Sequence, residues 1–257
     1  MPPLASVRFL KRAVATVCGS LVALAPRQFL SALLRRYPEM VAAHGGRNRM
    51  LFRWDTTDVP ERVGHFEDLA CLFWSTPLNR GLLRQDLDEA ATLFKTVRSL
   101  HAPHGVEVGR FHGASTLLLA VAVGPAGRVT SIDVAPQGDD ALLRALHRAG
   151  VADRVELIVA DANHVDRSGP LDFVFIDGDH SYDGARRDHN RWGKLVRVGG
   201  YVIHHDMAAQ RPFVTPCDDL VRLRCDILRT QQTHLELAVE AGSLSVFRRC
   251  SASWADL

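Results

Sequence analysis

The chain has 257 residues, of which 47% are hydrophobic and 23% are charged. This composition is typical of a folded globular protein, and it excludes disorder over most of the length because enough apolar material is present to offset the ordering entropy. Lys and Arg number 31 against 29 for Asp and Glu, a balance that argues against a nucleic-acid partner, since such proteins usually carry a basic stripe.

The N-terminal segment allows two interpretations. Basic residues at Arg8, Lys11 and Arg12 precede an apolar stretch over residues 13–25, an order that resembles a secretory signal. An amphipathic helix that packs on the domain, on a partner subunit or on a membrane surface has the same pattern. We favour a packed helix without membrane contact. The chain has no uncharged apolar run of 18 residues, so no membrane span is predicted.

Residues 1–100 are predicted to form a helical extension that covers a pocket or forms the interface of a homodimer. A second helix is expected at 27–44, and the pattern from 61 to 100 is helical, with Asp86 ahead of an apolar-periodic stretch over 90–100. Candidate substrate contacts in this region, for which core or surface roles are simpler explanations, are Asp58, Glu61, His65, Trp74 and Asn79.

The five cysteines indicate the compartment. Their number is odd and none forms a CxxC pair. A disulfide framework or a zinc ribbon is therefore not expected, and the reducing cytoplasm is the predicted location.

Residues 101–257 are predicted to form the main domain, because short apolar runs alternate there with helical stretches. The predicted strands are 105–108, 128–134, 155–159, 172–176, 200–203, 235–239 and 243–248. The predicted helices are 114–123, 139–149, 182–196 and 218–230. Such alternation predicts an α/β fold, with a doubly wound, mostly parallel seven-stranded sheet, helices on both faces and a terminal antiparallel hairpin.

The first predicted strand runs into a glycine-containing loop, Glu107-x-Gly109-x-x-x-Gly113-x-Ser115. The glycines let a ligand approach the backbone closely, and the following helix start offers free N–H groups. A carboxylate at Glu107 suits a ligand with a cationic end. The glycine spacing differs from the GxGxxG of dinucleotide enzymes, and a turn that serves only helix packing is the simpler alternative.

The other parallel strands also end in polar residues. Ligands of such sheets bind beyond the carboxyl ends of the strands. Asp133 follows the second strand, where an acid can accept hydrogen bonds from a ribose diol. Asp161 and Ala162 follow the third, where an acid can reach an adenine amino group. The fourth and fifth strands are followed by Asp177-Gly-Asp-His180 and by His204-His-Asp206.

Residues 104–248 resemble the class I S-adenosylmethionine-dependent methyltransferases. The Glu107 loop, Asp133 and Asp161 are similar to the first three motifs of that family. The segment Phe175-Ile-Asp-Gly-Asp-His-Ser-Tyr182, followed by Val198-Gly-Gly-Tyr-Val-Ile203, resembles small-molecule O-methyltransferases related to macrocin and catechol O-methyltransferases. The resemblance implies a Rossmann-like fold and S-adenosylmethionine as cofactor.

The resemblance also implies which residues bind that cofactor. The methionine end would contact Glu107, Gly109 and Gly113, the ribose Asp133, and the adenine Asp161 with Ala162. Ser115 either adds a hydroxyl contact to the carboxylate end or caps the first turn of its helix.

Related metal-dependent enzymes bind Mg²⁺ through one acid after the fourth strand and two adjacent polar residues after the fifth. Asp177 and Asp206 match this set, whereas His205 replaces one acid. Mg²⁺ prefers oxygen ligands, and imidazole suits Zn²⁺, Fe²⁺ or Mn²⁺. We expect a divalent metal, Mg²⁺ or Mn²⁺, at Asp177, His205 and Asp206. By the period of two, His204 is expected on the opposite face of the strand.

A metal-free alternative uses His180 or His205 as the general base, because histidine titrates near neutral pH. Asp179 would orient His180, which could instead be an exposed helix-capping residue. Asp183 and Asp188, on the next helix, are interpreted as a solvated face. The catalytic candidates are therefore Asp177, His180 and His205.

The predicted acceptor is a hydroxyl of a small molecule, and the subgroup resemblance favours a saccharide or a glycosylated natural product. A nucleotide-binding oxidoreductase-like protein and a non-catalytic interaction protein are the alternatives. The balanced charge disfavours a nucleic-acid methyltransferase.

Overall fold

A computed structural model of the chain describes residues 59–73, 83, 85–167, 169–207 and 217–257. The helices predicted within 1–44, and the candidate residues Asp58, Trp74 and Asn79, lie outside the described residues. Two compact units are present. Residues 70–73 and 83 belong to the first, in which the Leu83 N–H donates to the Leu72 carbonyl at 3.1 Å. A 3-10 helix spans Glu67–Phe73.

The second unit, residues 56–69 and 85–257, is built on one seven-stranded sheet. Its strands are β1 His104–Val108, β2 Arg128–Asp133, β3 Val155–Val159, β4 Leu171–Ile176, β5 Val196–His204, β6 Leu235–Ala241 and β7 Leu244–Arg249. Their order is β3-β2-β1-β4-β5-β7-β6. Strands β1 to β5 pair in parallel, and β7 is antiparallel to both β5 and β6. The predicted fold class is confirmed.

Helices flank this sheet. They are α1 Leu87–Arg98, α2 Ala114–Ala122, α3 Asp139–Arg148, α4 Tyr182–Gly193 and α5 Asp218–Thr230. All nine residues of α2 are buried, and none of them is charged. The prediction of a helix to residue 196 was wrong, because α4 ends at Gly193 and β5 already begins at Val196. No described helix is long and apolar enough to cross a bilayer.

Helix α1 has an apolar face formed by Ala90, Leu93, Phe94 and Val97, all of them buried. This i, i+3, i+4, i+7 spacing is that of an amphipathic helix on a core, and α1 packs on α2. The Glu89 side chain accepts the backbone N–H of Asp86 at 2.8 Å, which satisfies one of the free donors at the helix start. The domain division at residue 100 stays a prediction.

The strand order reverses between β1 and β4, which creates a crevice at the carboxyl edge of the sheet. Backbone hydrogen bonds continue past the strand ends there. The Asp177 N–H donates to the Val108 carbonyl at 2.8 Å, the Gly109 N–H to Ile132 at 2.8 Å and the His205 N–H to Ile176 at 3.1 Å. The residues that follow β1, β4 and β5 are therefore held in fixed positions.

Candidate active site

A cavity of about 450 Å³ opens at this edge, within the size range of small-molecule sites. It brings together five of the predicted cofactor or catalytic residues, which are Gly109, Asp133, Asp161, Ala162 and Asp177. Apolar wall is added by Val108, Phe111, Ile132 and Val134.

Gly109 allows two loops to meet below this cavity. Its φ is +86°, and a Cβ atom there would lie 2.3 Å from the Asp177 carbonyl oxygen. Only glycine fits such a backbone and such a contact. Phe111, two residues later, has a φ of +49°, which is uncommon for an aromatic residue and marks a constrained loop.

The Asp133 carboxylate is fixed by backbone donors. One oxygen accepts the N–H groups of Arg110 at 2.9 Å and Phe111 at 2.8 Å, and the other accepts that of Ala135 at 2.7 Å. A carboxylate has about four acceptor positions. Capacity therefore remains for a hydroxyl donor from the cavity.

Glu107 lies behind the glycine loop and is fully buried. It accepts hydroxyl hydrogen bonds from Ser115 at 2.6 Å, Thr116 at 2.5 Å and Ser131 at 2.5 Å. Burial raises the pKa of Glu107, and the three hydroxyls partly offset this. The Ser115 hydroxyl joins β1 to α2 and does not cap the helix, whose N-cap is Gly113. Cofactor contacts of Glu107, Gly113 and Ser115 stay predictions.

The far end of the cavity contains the predicted Asp161 and a second acid, Asp188, which the sequence analysis did not place at the site. Asp161 is exposed and accepts the Asn163 N–H at 2.8 Å. Asp188 is only 4% exposed and accepts the Asn163 side-chain amide at 3.0 Å. Burial raises the pKa of Asp188 to about 6. The interpretation of Asp188 as solvated was wrong, although Asp183 is exposed.

Asp177 and three further side chains form a cluster. His180 Nε2 lies 3.4 Å from Asp177 Oδ1, and His180 Nδ1 lies 3.9 Å from Asp206 Oδ2. His205 Nδ1 lies 3.3 Å from Asp177 Oδ1 and 3.4 Å from Asp206 Oδ2. One ligand atom each of Asp177, His180 and Asp206 falls within 4.8 Å of the others. All four residues were predicted as catalytic or metal-binding, and the structure brings them together.

His205 shows that this cluster suits a cation. Its side chain is 4% exposed, and Nδ1 is a buried nitrogen without a hydrogen-bond partner although it points between two carboxylates. Asp177 and Asp206 raise the pKa of His205 to about 10 despite its burial, and the same contacts lower the pKa of both acids. A proton or a metal ion satisfies this arrangement, and the N and O donor set is one that divalent metals accept.

The Asp206 backbone lies in the left-handed region, with a φ of +58°. Asp tolerates this conformation better than most residues. The carboxylate that contacts His180 is that of Asp177 rather than the expected Asp179, which accepts the Ser181 N–H at 2.8 Å.

His204 lies on the opposite face of β5 from the cluster, as expected. Its Nε2 is 3.0 Å from Nδ1 of His189, whose Nε2 is 2.7 Å from the Gln231 amide oxygen. Burial lowers the pKa of both histidines, that of His189 to about 4. This pair is therefore neutral and belongs to the core.

Comparisons with known proteins match the part of the chain that contains this site. The family described as "Methyltransferase domain" matches residues 106–207. A catechol O-methyltransferase of Mycobacterium tuberculosis is 33% identical over 125 residues, which are 47% of this chain and 56% of that protein. The chain thus spans just over half the length of this relative. Caffeoyl-CoA O-methyltransferase 1 of Eucalyptus globulus is 28% identical over 65% of this chain and 70% of that protein.

Solved structures show the same fold. Cofactor-bound Rv0187 from MTB superimposes with a TM-score of 0.54 at 22% identity, over 65% of this chain and 82% of that one. The SAH-bound methyltransferase PaMTH1 of Podospora anserina has a TM-score of 0.53 at 17% identity, over 63% of this chain and 78% of that one.

Proposed function

We propose that this chain, whose residues 106–207 match a methyltransferase domain family and which resembles the class I S-adenosylmethionine-dependent methyltransferases, transfers a methyl group from S-adenosylmethionine to a hydroxyl of a small molecule. The observation that carries this proposal is the position of Asp177, which lines the cavity and also belongs to the cluster. The cofactor's methyl group and the acceptor hydroxyl can therefore meet beside that residue.

Different cavity residues would contact the ribose, the adenine and the methionine end of the cofactor. Asp133 would accept the ribose hydroxyls, and Asp161 with Ala162 and Asp188 would contact the adenine. Gly109 lets the backbone approach the methionine end. Glu107 and Ser115 support this loop from behind. The sulfonium is the methyl donor, so the protein's task is to align the acceptor oxygen and to remove its proton, and alignment alone contributes about 7–11 kcal/mol in favourable model systems.

An aliphatic hydroxyl is a poor nucleophile and needs assistance. Asp177, His205 and Asp206 would hold a divalent metal, which when bound lowers the pKa of a coordinated oxygen. His180, whose side chain is 45% exposed, can accept the proton at a ring nitrogen. Asp177 raises the pKa of His180 and so stabilises the proton after transfer.

The acceptor we propose first is a saccharide hydroxyl, from the resemblance to the macrocin-related subgroup. An aromatic diol is the second candidate, because relatives are named for catechol and caffeoyl-CoA. Both would present an oxygen to the partly exposed side of the cluster. A screen with labelled S-adenosylmethionine against hydroxylated glycans and catechols separates them.

Substitution of Asp177 tests the proposal. We expect Asp177→Ala to abolish turnover while S-adenosylhomocysteine still binds, because the acid holds the cluster and contributes only part of the cavity wall. Asp183→Ala, on the exposed side of α4, is the control and should keep full activity. Full activity of Asp177→Ala would refute the mechanism.

Metal removal tests the role of the cluster. Dialysis against EDTA should abolish turnover, and re-addition of Mg²⁺, Mn²⁺ and Zn²⁺ in turn should identify the ion that restores it. Unchanged activity after chelation would instead support the metal-free alternative, in which His180 or His205 is the general base.

A further inference from the structure

Glu89 of helix α1 is a buried carboxylate that the proposed chemistry does not use. It is 0% exposed, although carboxylates are rarely buried without partners. Its Oε1 accepts the backbone N–H and the hydroxyl of Ser243, at 2.5 and 2.8 Å. Ser243 lies in the turn between β6 and β7. Glu89 therefore joins α1 to this turn.

The second oxygen of Glu89 faces the cluster of side chains that contains Asp177, His205 and Asp206. Oε2 lies 3.3 Å from Nε2 of His205, on the ring edge opposite Asp177 and Asp206. Both oxygens of Glu89 already accept backbone N–H groups, Oε1 that of Ser243 and Oε2 that of Asp86, so Oε2 is an acceptor and its contact with His205 places a hydrogen on Nε2. The Nδ1 atom of a neutral His205 then carries a lone pair directed between the two acids.

We propose that Glu89 is a positioning residue for the proposed metal site. It fixes the tautomer and ring orientation of His205 so that Nδ1 is a metal ligand. The inference rests on the proposed metal-assisted function. A carboxylate behind a ligating histidine also increases the basicity of that ligand. Glu89 thus couples α1 and the β6–β7 turn to the reacting end of the site.

This arrangement determines the class of ion. Two carboxylates and an oriented imidazole form a mixed nitrogen and oxygen set. Mg²⁺ selects oxygen donors, whereas Mn²⁺, Fe²⁺ and Zn²⁺ accept imidazole. The site therefore prefers a first-row transition ion to Mg²⁺.

Calorimetry on the metal-stripped full-length protein tests this. Mn²⁺ should bind the wild type more tightly than Mg²⁺ does. Glu89→Gln should weaken Mn²⁺ binding by about 10–100-fold, the usual effect of losing an outer partner of a ligating histidine. Asp88→Asn is the matched control, since it removes an exposed charge from the same turn, and it should leave the affinity unchanged.

A double substitution distinguishes positioning from a purely structural role. In the His205→Asn background, Glu89→Gln should have no further effect on Mn²⁺ affinity, because the imidazole through which it acts is absent. Equal losses in both backgrounds would overturn the inference, as would unchanged affinity of the Glu89→Gln single variant.

Electron spin-echo modulation of the Mn²⁺-loaded wild type provides a readout that does not depend on whether Glu89→Gln folds. Coupling to an imidazole nitrogen should appear and should decrease in His205→Asn. Its absence from the wild type would overturn the role of Nδ1. If the wild type binds neither Mn²⁺ nor Mg²⁺, the metal-assisted function fails together with this inference; if it binds them and Glu89→Gln binds equally well, only the inference fails.

Discussion

Individual side chains in this site are governed by burial and by their neighbours. Asp177 and Asp188 line the same cavity, yet their pKa values shift in opposite directions. His205 and His180 lower the pKa of Asp177, whereas burial without a cationic partner of that strength raises that of Asp188 to about 6. One acid is therefore ionised at neutral pH and held by the cluster, and the other is ionised at a cost in stability.

Asp188 supports a prediction about stability and pH. Its pKa rises from an ordinary value of 3.8 to about 6 on folding, so between these values the native state binds more protons than the unfolded state. The free energy of unfolding then falls as pH rises through this window. Asp188→Asn removes the charge and with it this fall in the free energy of unfolding. The amide oxygen of the new side chain can still accept a hydrogen bond from Asn163.

We expect Asp188→Asn to be more stable than the wild type at pH 8, by on the order of 2 kcal/mol, and to show no gain below pH 4. Denaturant unfolding at a series of pH values measures this, with Asp183→Asn as the exposed control. A gain that does not vary with pH would show that charge burial is not its cause.

At the scale of elements, the strand and helix periods predicted most of the fold. Strand β3 and helix α5 have the predicted bounds, and the other elements differ by a few residues. The sequence of α4 contains a pattern that predicts the burial of Asp188, since Ala185, Asp188 and Trp192 share one buried face at helical spacing.

Other features could not be predicted, because they depend on packing between distant segments. Nothing in the sequence distinguishes Glu89 from an ordinary acidic residue in the first turn of a helix. Its contact with His205 bridges 116 positions of the chain. The position of Glu107 behind its loop likewise depends on hydroxyls of α2 and β2. The strand-end acids were predictable because the carboxyl ends of parallel strands meet at one edge.

The loop between β1 and α2 supports a second prediction. Gly109→Ala should lower the free energy of unfolding by on the order of 3 kcal/mol, because it adds left-handed strain and a contact with the Asp177 carbonyl. S-adenosylhomocysteine binding should be lost with it.

Gly150→Ala is the matched control for this loop. Gly150 also has a positive φ, of +69°, but a Cβ atom there would meet nothing within 4 Å. In this variant the free energy of unfolding should fall only by the cost of left-handed strain, about 1–2 kcal/mol. Its affinity for S-adenosylhomocysteine should not change. Equal losses of stability and affinity in the two variants would contradict the proposed close approach of the two loops.

At the scale of the whole molecule, the reversal of strand order between β1 and β4 brings the cavity and the cluster of Asp177, His180, His205 and Asp206 to one edge of the sheet. The cavity extends over the ends of β1, β2 and β3 and reaches Asp177 after β4, and the cluster lies at the ends of β4 and β5. Cofactor and acceptor can therefore approach from the two sides of the reversal point. This division requires that a nucleoside occupy the side that contains Asp133.

The most direct test is calorimetric titration of S-adenosylhomocysteine and of NAD into the wild type and into Asp133→Ala. We predict that the wild type binds S-adenosylhomocysteine but not NAD, and that Asp133→Ala binds it at least about tenfold more weakly, a loss of about 1.4 kcal/mol. Tighter binding of NAD, or unchanged affinity of Asp133→Ala for S-adenosylhomocysteine, would contradict the account.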